Sequence, residues 1–160
     1  MRAAPVRVPM HDDTQPVSRT MLSLGLAGLI PFMAAVLGVW YLDGLLAALS
    51  QRAFLTYSVA ILCFLAGTLW GETLASPGKG EGPTILISNG VVLFAVFAVL
   101  TAGPLPAAGL LLLGHLAQLW YERQRLLRAR WYTRMRTGLT LAVAVCHGLF
   151  IAGLTLRATG

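Results

Sequence analysis

Residues 120–136, WYERQRLLRARWYTRMR, constrain what this chain can fold into more than any other stretch. They set Arg123, Arg125, Arg128, Arg130, Arg134 and Arg136 between two apolar runs, each long enough to cross a bilayer. A guanidinium is costly in hydrocarbon, so the arginines stay on one side and the apolar runs do the crossing. Lone strands would leave backbone groups unpaired in lipid, so each crossing must be a helix. The expected fold class is therefore all-α, an integral membrane bundle.

Composition points the same way. Apolar residues make up 57% of the 160 and charged residues 11%, with a mean hydropathy of +0.74. Soluble domains carry about a quarter charged residues, so the apolar excess here needs lipid to face. The formal charge of +6 does not argue for nucleic acid, because half of the Lys+Arg total sits in one loop between hydrophobic spans. Cys63 and Cys146 both lie inside apolar runs, which excludes a disulfide framework.

Residues 1–20 contain Pro5, Pro9 and Pro16 without periodicity and read as a disordered cytoplasmic tail. The next apolar run is too long for a signal-peptide core. The domain over 21–157 divides into five spans at about 21–42, 53–71, 84–101, 107–121 and 137–156. Pro31 lies within the first span and cannot donate to the helix ladder, which predicts a kink near Leu26 to Gly28. Gly25 and Gly28 would admit another helix there. Asp43, Gly44, Gln51 and Arg52 mark a turn region, and the Gly/Pro-rich run over 75–83 marks a loop.

Five spans place the N-terminal tail, the loop after span two and the Arg-rich loop on one side. That leaves only Arg52 and Arg157 of the 12 cations on the other. The bias predicts a cytoplasmic N-terminus and an outside C-terminus in a bacterial cytoplasmic membrane. If residues 120–135 form one helix, Trp120, Leu127, Trp131 and Met135 share a stripe. Such a helix would lie in the headgroup layer, with Arg123, Arg125, Arg128, Arg130 and Arg134 turned to anionic lipids.

Three phrases carry a resemblance: LGLAGLIPF at 24–32, YSVAILCFLAGTLWGE at 57–72 and WYTRMRTGLT at 131–140. Together, in this order, they resemble an uncharacterised family of small bacterial inner-membrane proteins similar to the mitochondrial transmembrane protein 69. The resemblance implies a multi-span membrane protein with no established activity, cofactor or partner. It also marks one departure: Leu69 stands where the family pattern often has a histidine.

Polar groups at membrane depth are the candidate functional residues, since each carries a cost. Glu72 and Arg136 fall at the cytoplasmic edge and would pair as a latch between spans two and five. Asn89, beside Gly90, would bond across to another helix. Trp70, Trp131 and Tyr132 belong to the interfacial belt or line a cavity. Tyr57 and Ser58 read as shallow and interfacial. Cys63, His115, Cys146 and His147 lie near mid-span and would share one depth, but Cys146 and His147 point about 100° apart on a helix. No metal or cofactor site is expected from them, and no nucleophile with its base can be assembled, so no enzymatic activity is expected.

Two functions remain from the sequence. The first is a non-enzymatic accessory or structural protein that binds lipids or the helices of other membrane proteins, which requires a dry apolar core. The second is a small-ligand binder or transporter with a polar cavity between spans two, three and five.

Overall fold

The computed structural model describes residues 19–75, 81–125 and 130–159, and all the elements in them are helices. In chain order these are α1 (Arg19–Ala27), α2 (Ile30–Tyr41), α3 (Gly44–Ala75), α4 (Glu81–Thr101), α5 (Pro104–Arg125) and α6 (Arg130–Thr159). Four stretches are long and apolar enough to cross a membrane: Arg19–Tyr41, Gly44–Ala75, Glu81–Thr101 and Arg130–Thr159. The remaining helix, α5, has 22 residues, about 33 Å at 1.5 Å per residue. It runs between α3, α4 and α6, and its apolar character is diluted by His115, Gln118 and Glu122. All three are buried inside the bundle.

The proline in the first span acts as the sequence predicts. Pro31 has no N–H, and its ring would clash with the carbonyl four residues back, so the helix stops at Ala27 and restarts at Ile30. Gly28 and Leu29 between them form a turn. The interruption leaves the Gly28 carbonyl outside the regular ladder, and the Tyr57 hydroxyl donates to it at 3.0 Å. A side chain from α3 thus braces the joint between α1 and α2.

The turn region expected between spans one and two is shorter in the structure. Only Leu42 and Asp43 interrupt the helices, and α3 is already helical from Gly44. Gly44, at φ 55°, makes the turn, and the run LLAALS after it contains no breaker, so the helix continues through Gln51 and Arg52. This shift of about nine residues moves every α3 side chain deeper relative to the helix start. Ser58 becomes a mid-helix residue.

Helix α3 packs on α2, α4 and α5, while α6 packs on α5 and α2 and touches α1. Apolar burial drives little association between helices when the surroundings are themselves apolar, so contact and hydrogen bonding must hold them. Small residues allow the contact. A Cβ on Gly114 would stand 2.7 Å from a Leu62 methyl, so the bare glycine lets α5 approach α3 at the level of His115. At the centre, Phe54 stacks on Phe150 with centroids 4.0 Å apart, and Phe32 meets Phe54 edge-on at 5.3 Å. Long apolar side chains such as Leu86, Phe97, Leu100 and Leu141 cover the outside.

The Arg-rich stretch does not form one interfacial helix. Trp120 to Arg125 end α5 and Arg130 to Met135 begin α6; residues 126–129 lie outside those described. Tyr121 and Glu122, which such a helix would have left in the headgroup layer, are buried against the bundle.

Candidate functional site

Beneath the aromatic cluster, three helices each supply one polar side chain. Ser58 of α3 places its Oγ 3.1 Å from His115 Nε2 of α5 and 3.0 Å from His147 Nε2 of α6. All three residues are at most 1% exposed. Phe54 lies edge-on to the His147 ring at 4.8 Å, and the two imidazole centroids are 5.6 Å apart. The rings are held from several sides.

With both rings neutral, one set of tautomers satisfies these contacts, as inferred from the hydrogen-bond partners. His147 Nδ1 lies 2.9 Å from the Val143 carbonyl oxygen, which can only accept, so Nδ1 carries the proton. His147 Nε2 is then an acceptor and takes the single Ser58 hydroxyl proton. Ser58 Oγ must in turn accept from His115, which puts the His115 proton on Nε2. His115 Nδ1 is left with a bare lone pair. It has no hydrogen-bond partner among the described residues, and Gln118 Oε1 is the one side-chain polar atom there that is both sealed and unpartnered. His115 Nδ1 is therefore unpartnered and unsealed.

A second polar group adjoins the first. Arg136 of α6 donates from Nε to Glu122 Oε2 at 3.2 Å and from Nη2 to Oε1 at 3.4 Å. Its Nη1 donates to Thr140 Oγ1 at 2.6 Å, and Gln118 Nε2 donates to Glu122 Oε1 at 3.3 Å. Arg136 and Glu122 are 6% and 4% exposed. A lone buried charge would be prohibitive at such a place, and pairing makes it tolerable. Each Arg136 terminal nitrogen has two N–H groups and spends one on these contacts.

Both groups border one cleft of about 390 Å³. Its walls are apolar residues of α1, α3 and α6, among them Leu24, Ile61, Leu65 and Leu139, while His115, Arg136 and Thr140 bring polar atoms to it. Gly25 sets the closeness of one wall: a Cβ there would stand 2.8 Å from a Leu139 methyl. Phe64, 69% exposed, marks the open side, on the apolar exterior.

The residues singled out in the sequence fall in several places. Tyr132 and Arg136 line the cleft. Arg136 pairs with Glu122 and not with Glu72, which lies half-buried toward the end of α3. Asn89 is exposed and donates to Ile85 of its own helix at 3.1 Å; the bond across from α4 comes from its neighbour, Ser88 Oγ to the Ala66 carbonyl at 2.7 Å. Trp70 is 40% exposed on α3 and borders no part of the cleft, to which α4 also contributes nothing. Trp131 meets Tyr132 edge-on at 5.9 Å.

Arg130 and Arg134 are exposed near the start of α6, and Arg123 borders a shallow groove with Trp120. Arg128 and the Arg125 side chain lie outside the described residues. The two histidines converge, but the cysteines do not join them: Cys146 Sγ sits 3.7 Å from Met33 Sδ, and Cys63 is half-exposed. Among the described residues no three His, Cys, Asp or Glu side chains gather around one point.

A family model described as a protein of unknown function, DUF3429, matches residues 17–152. The chain belongs to the DUF3429 family. The match takes in Ser58, His115, Glu122, Arg136 and His147, so the polar centre of this DUF3429 member lies wholly within the family's stretch. No curated protein and no solved structure matches the chain.

Proposed function

We propose that this is a five-span integral membrane protein that holds a small lipid-soluble molecule between its helices. The observation that carries the reading is the cleft: apolar walls, an opening on the apolar exterior, and His115, Arg136 and Thr140 bordering it. Small-molecule sites are concave, mostly apolar, about 300–1,000 Å³ in volume, and orient their ligands with a few polar groups. A purely structural bundle would be expected to spend small and apolar residues on its core, whereas this one buries Ser58, His115, Gln118, Glu122, Arg136 and His147.

The five-span count follows from letting α5 cross with its polar face turned inward. It supports a cytoplasmic N-terminus, an outside C-terminus and residence in a bacterial cytoplasmic membrane. Arg19, Arg123, Arg130 and Arg134 then gather at the cytoplasmic end, where they meet anionic lipid headgroups. The accessory reading stands second, favoured by α4: Leu86, Leu93, Phe97 and Leu100 along it are all exposed, leaving an apolar face for a helix of another membrane protein.

The ligand reading is tested by native mass spectrometry of the protein in nanodiscs made from the host's lipids. A retained small molecule or lipid is expected, lost when Leu65→Trp fills the cleft. Equal retention by wild type and Leu65→Trp would remove the reading.

A further inference from the structure

The tautomer chain gives the cleft a chemical preference. Its sequence is the Val143 carbonyl, His147, Ser58 and then His115, each donor facing an acceptor. The chain ends on His115 Nδ1, which can only accept. Beside it along the cleft stand groups that donate: the unspent N–H groups of Arg136, and the Thr140 hydroxyl, whose oxygen is already an acceptor for Arg136. Glu122, just behind the lining, pairs with Arg136 at 3.2 Å, so the guanidinium that borders the cleft already has a counter-charge.

We infer that the cleft takes a neutral lipid alcohol: a long apolar body with one hydroxyl, which donates to His115 Nδ1 and accepts from Arg136 or Thr140. This inference rests on reading the cleft as a ligand site and adds the head group. An anionic head would add an unbalanced charge in surroundings of low dielectric, where such a charge is expensive. An ether or ketone could accept from Arg136 but would leave His115 Nδ1 without a donor. Sites built to bond a hydroxyl discriminate against the analogue lacking it, because the buried acceptor is then left unpaired.

The test uses the full-length protein in phosphatidylcholine nanodiscs, with hexadecanol, its methyl ether and palmitate as probes. Hexadecanol should bind roughly tenfold more tightly than the ether, the worth of about one hydrogen bond to a buried partner. Palmitate should bind more weakly still. In ¹⁵N-histidine spectra, hexadecanol should move the unprotonated Nδ1 signal of His115 upfield and leave His147 in place. In His115→Phe the alcohol and the ether should bind equally, while Leu65→Trp should bind neither. Equal affinity for alcohol and ether in the wild type would overturn the head-group assignment while leaving a ligand cleft. Failure of every probe to bind would overturn both. Should His115→Phe not fold, the nitrogen shift in the wild type decides, and an unmoved His115 signal at saturating hexadecanol overturns the inference.

Discussion

Replacing Ser58 by alanine removes one oxygen from the centre of the bundle and leaves almost the same volume, so no cavity term enters. Two interhelical contacts vanish, at 3.1 and 3.0 Å, and both imidazoles lose their Nε2 partner inside a packed core. In water-soluble proteins each orphaned group costs about 1–3 kcal/mol. In a bilayer the unfolded helices find other partners, and measured interhelical bonds average about 0.6 kcal/mol with a ceiling near 1.7. Because both nitrogens are sealed between three helices, the expected loss for Ser58→Ala is about 1–3 kcal/mol, two such bonds summed. Ser88→Ala is the matched control. It also breaks a buried serine bond between helices, at 2.7 Å, but its acceptor is the Ala66 carbonyl, which lies within α3 and keeps its own helical partner. That variant should lose about 0.6 kcal/mol. Reversible unfolding in mixed detergent micelles, followed by far-UV circular dichroism, measures both. Were Ser88→Ala to cost as much as Ser58→Ala, the argument that Ser58 organises the two histidines would fail.

Other outcomes follow from the same contacts. Glu122→Leu should cost about 3 kcal/mol by leaving the Arg136 charge unpaired, and Glu122→Leu with Arg136→Leu should recover most of it; the unfolding assay reads both, and additive losses would count against the pair. Gly25→Leu should destabilise by about 1–3 kcal/mol through its clash with Leu139, and Leu139→Ala in the same chain should restore part of that. A compartment-sensitive reporter fused after Gly160 should be active outside the cytoplasm, and one inserted at 76–80 inside it. The reverse pattern would overturn the five-span threading.

Much of the architecture was legible because the relevant signals are local. Pro31 announces its own break, and α3 ends at Ala75, where the Gly/Pro run begins, although Glu81, Gly82 and Pro83 already belong to α4. Mid-span position gave His115 and His147 a common depth but not the convergence that sets their rings 5.6 Å apart. The polar centre itself was harder to read. Ser58 looked interfacial because α3 was expected to begin near 53; begun at Gly44, the same residue lies at the helix midpoint. Glu122 looked like part of a charged loop, yet α5 continues to Arg125 and turns it inward. Choosing Asn89 over Ser88 was a matter of rotation about α4. That helix is apolar nearly all round, and a helix without a polar stripe does not declare which side its neighbours occupy. The partner of Arg136 was hidden for the same reason, since finding Glu122 requires knowing that α5 and α6 lie antiparallel at this level.

The joint at Gly28–Leu29 bears on how a guest would enter. On its far side stands α1, nine residues that wall the cleft, anchored to α6 where Gly25 meets Leu139. Since the helical ladder is already interrupted there, swinging α1 outward would leave the hydrogen bonds within α2 intact. A single proline thus sets α1 apart as a separate stave, held at its joint by Tyr57 and standing beside the cleft that His115 borders.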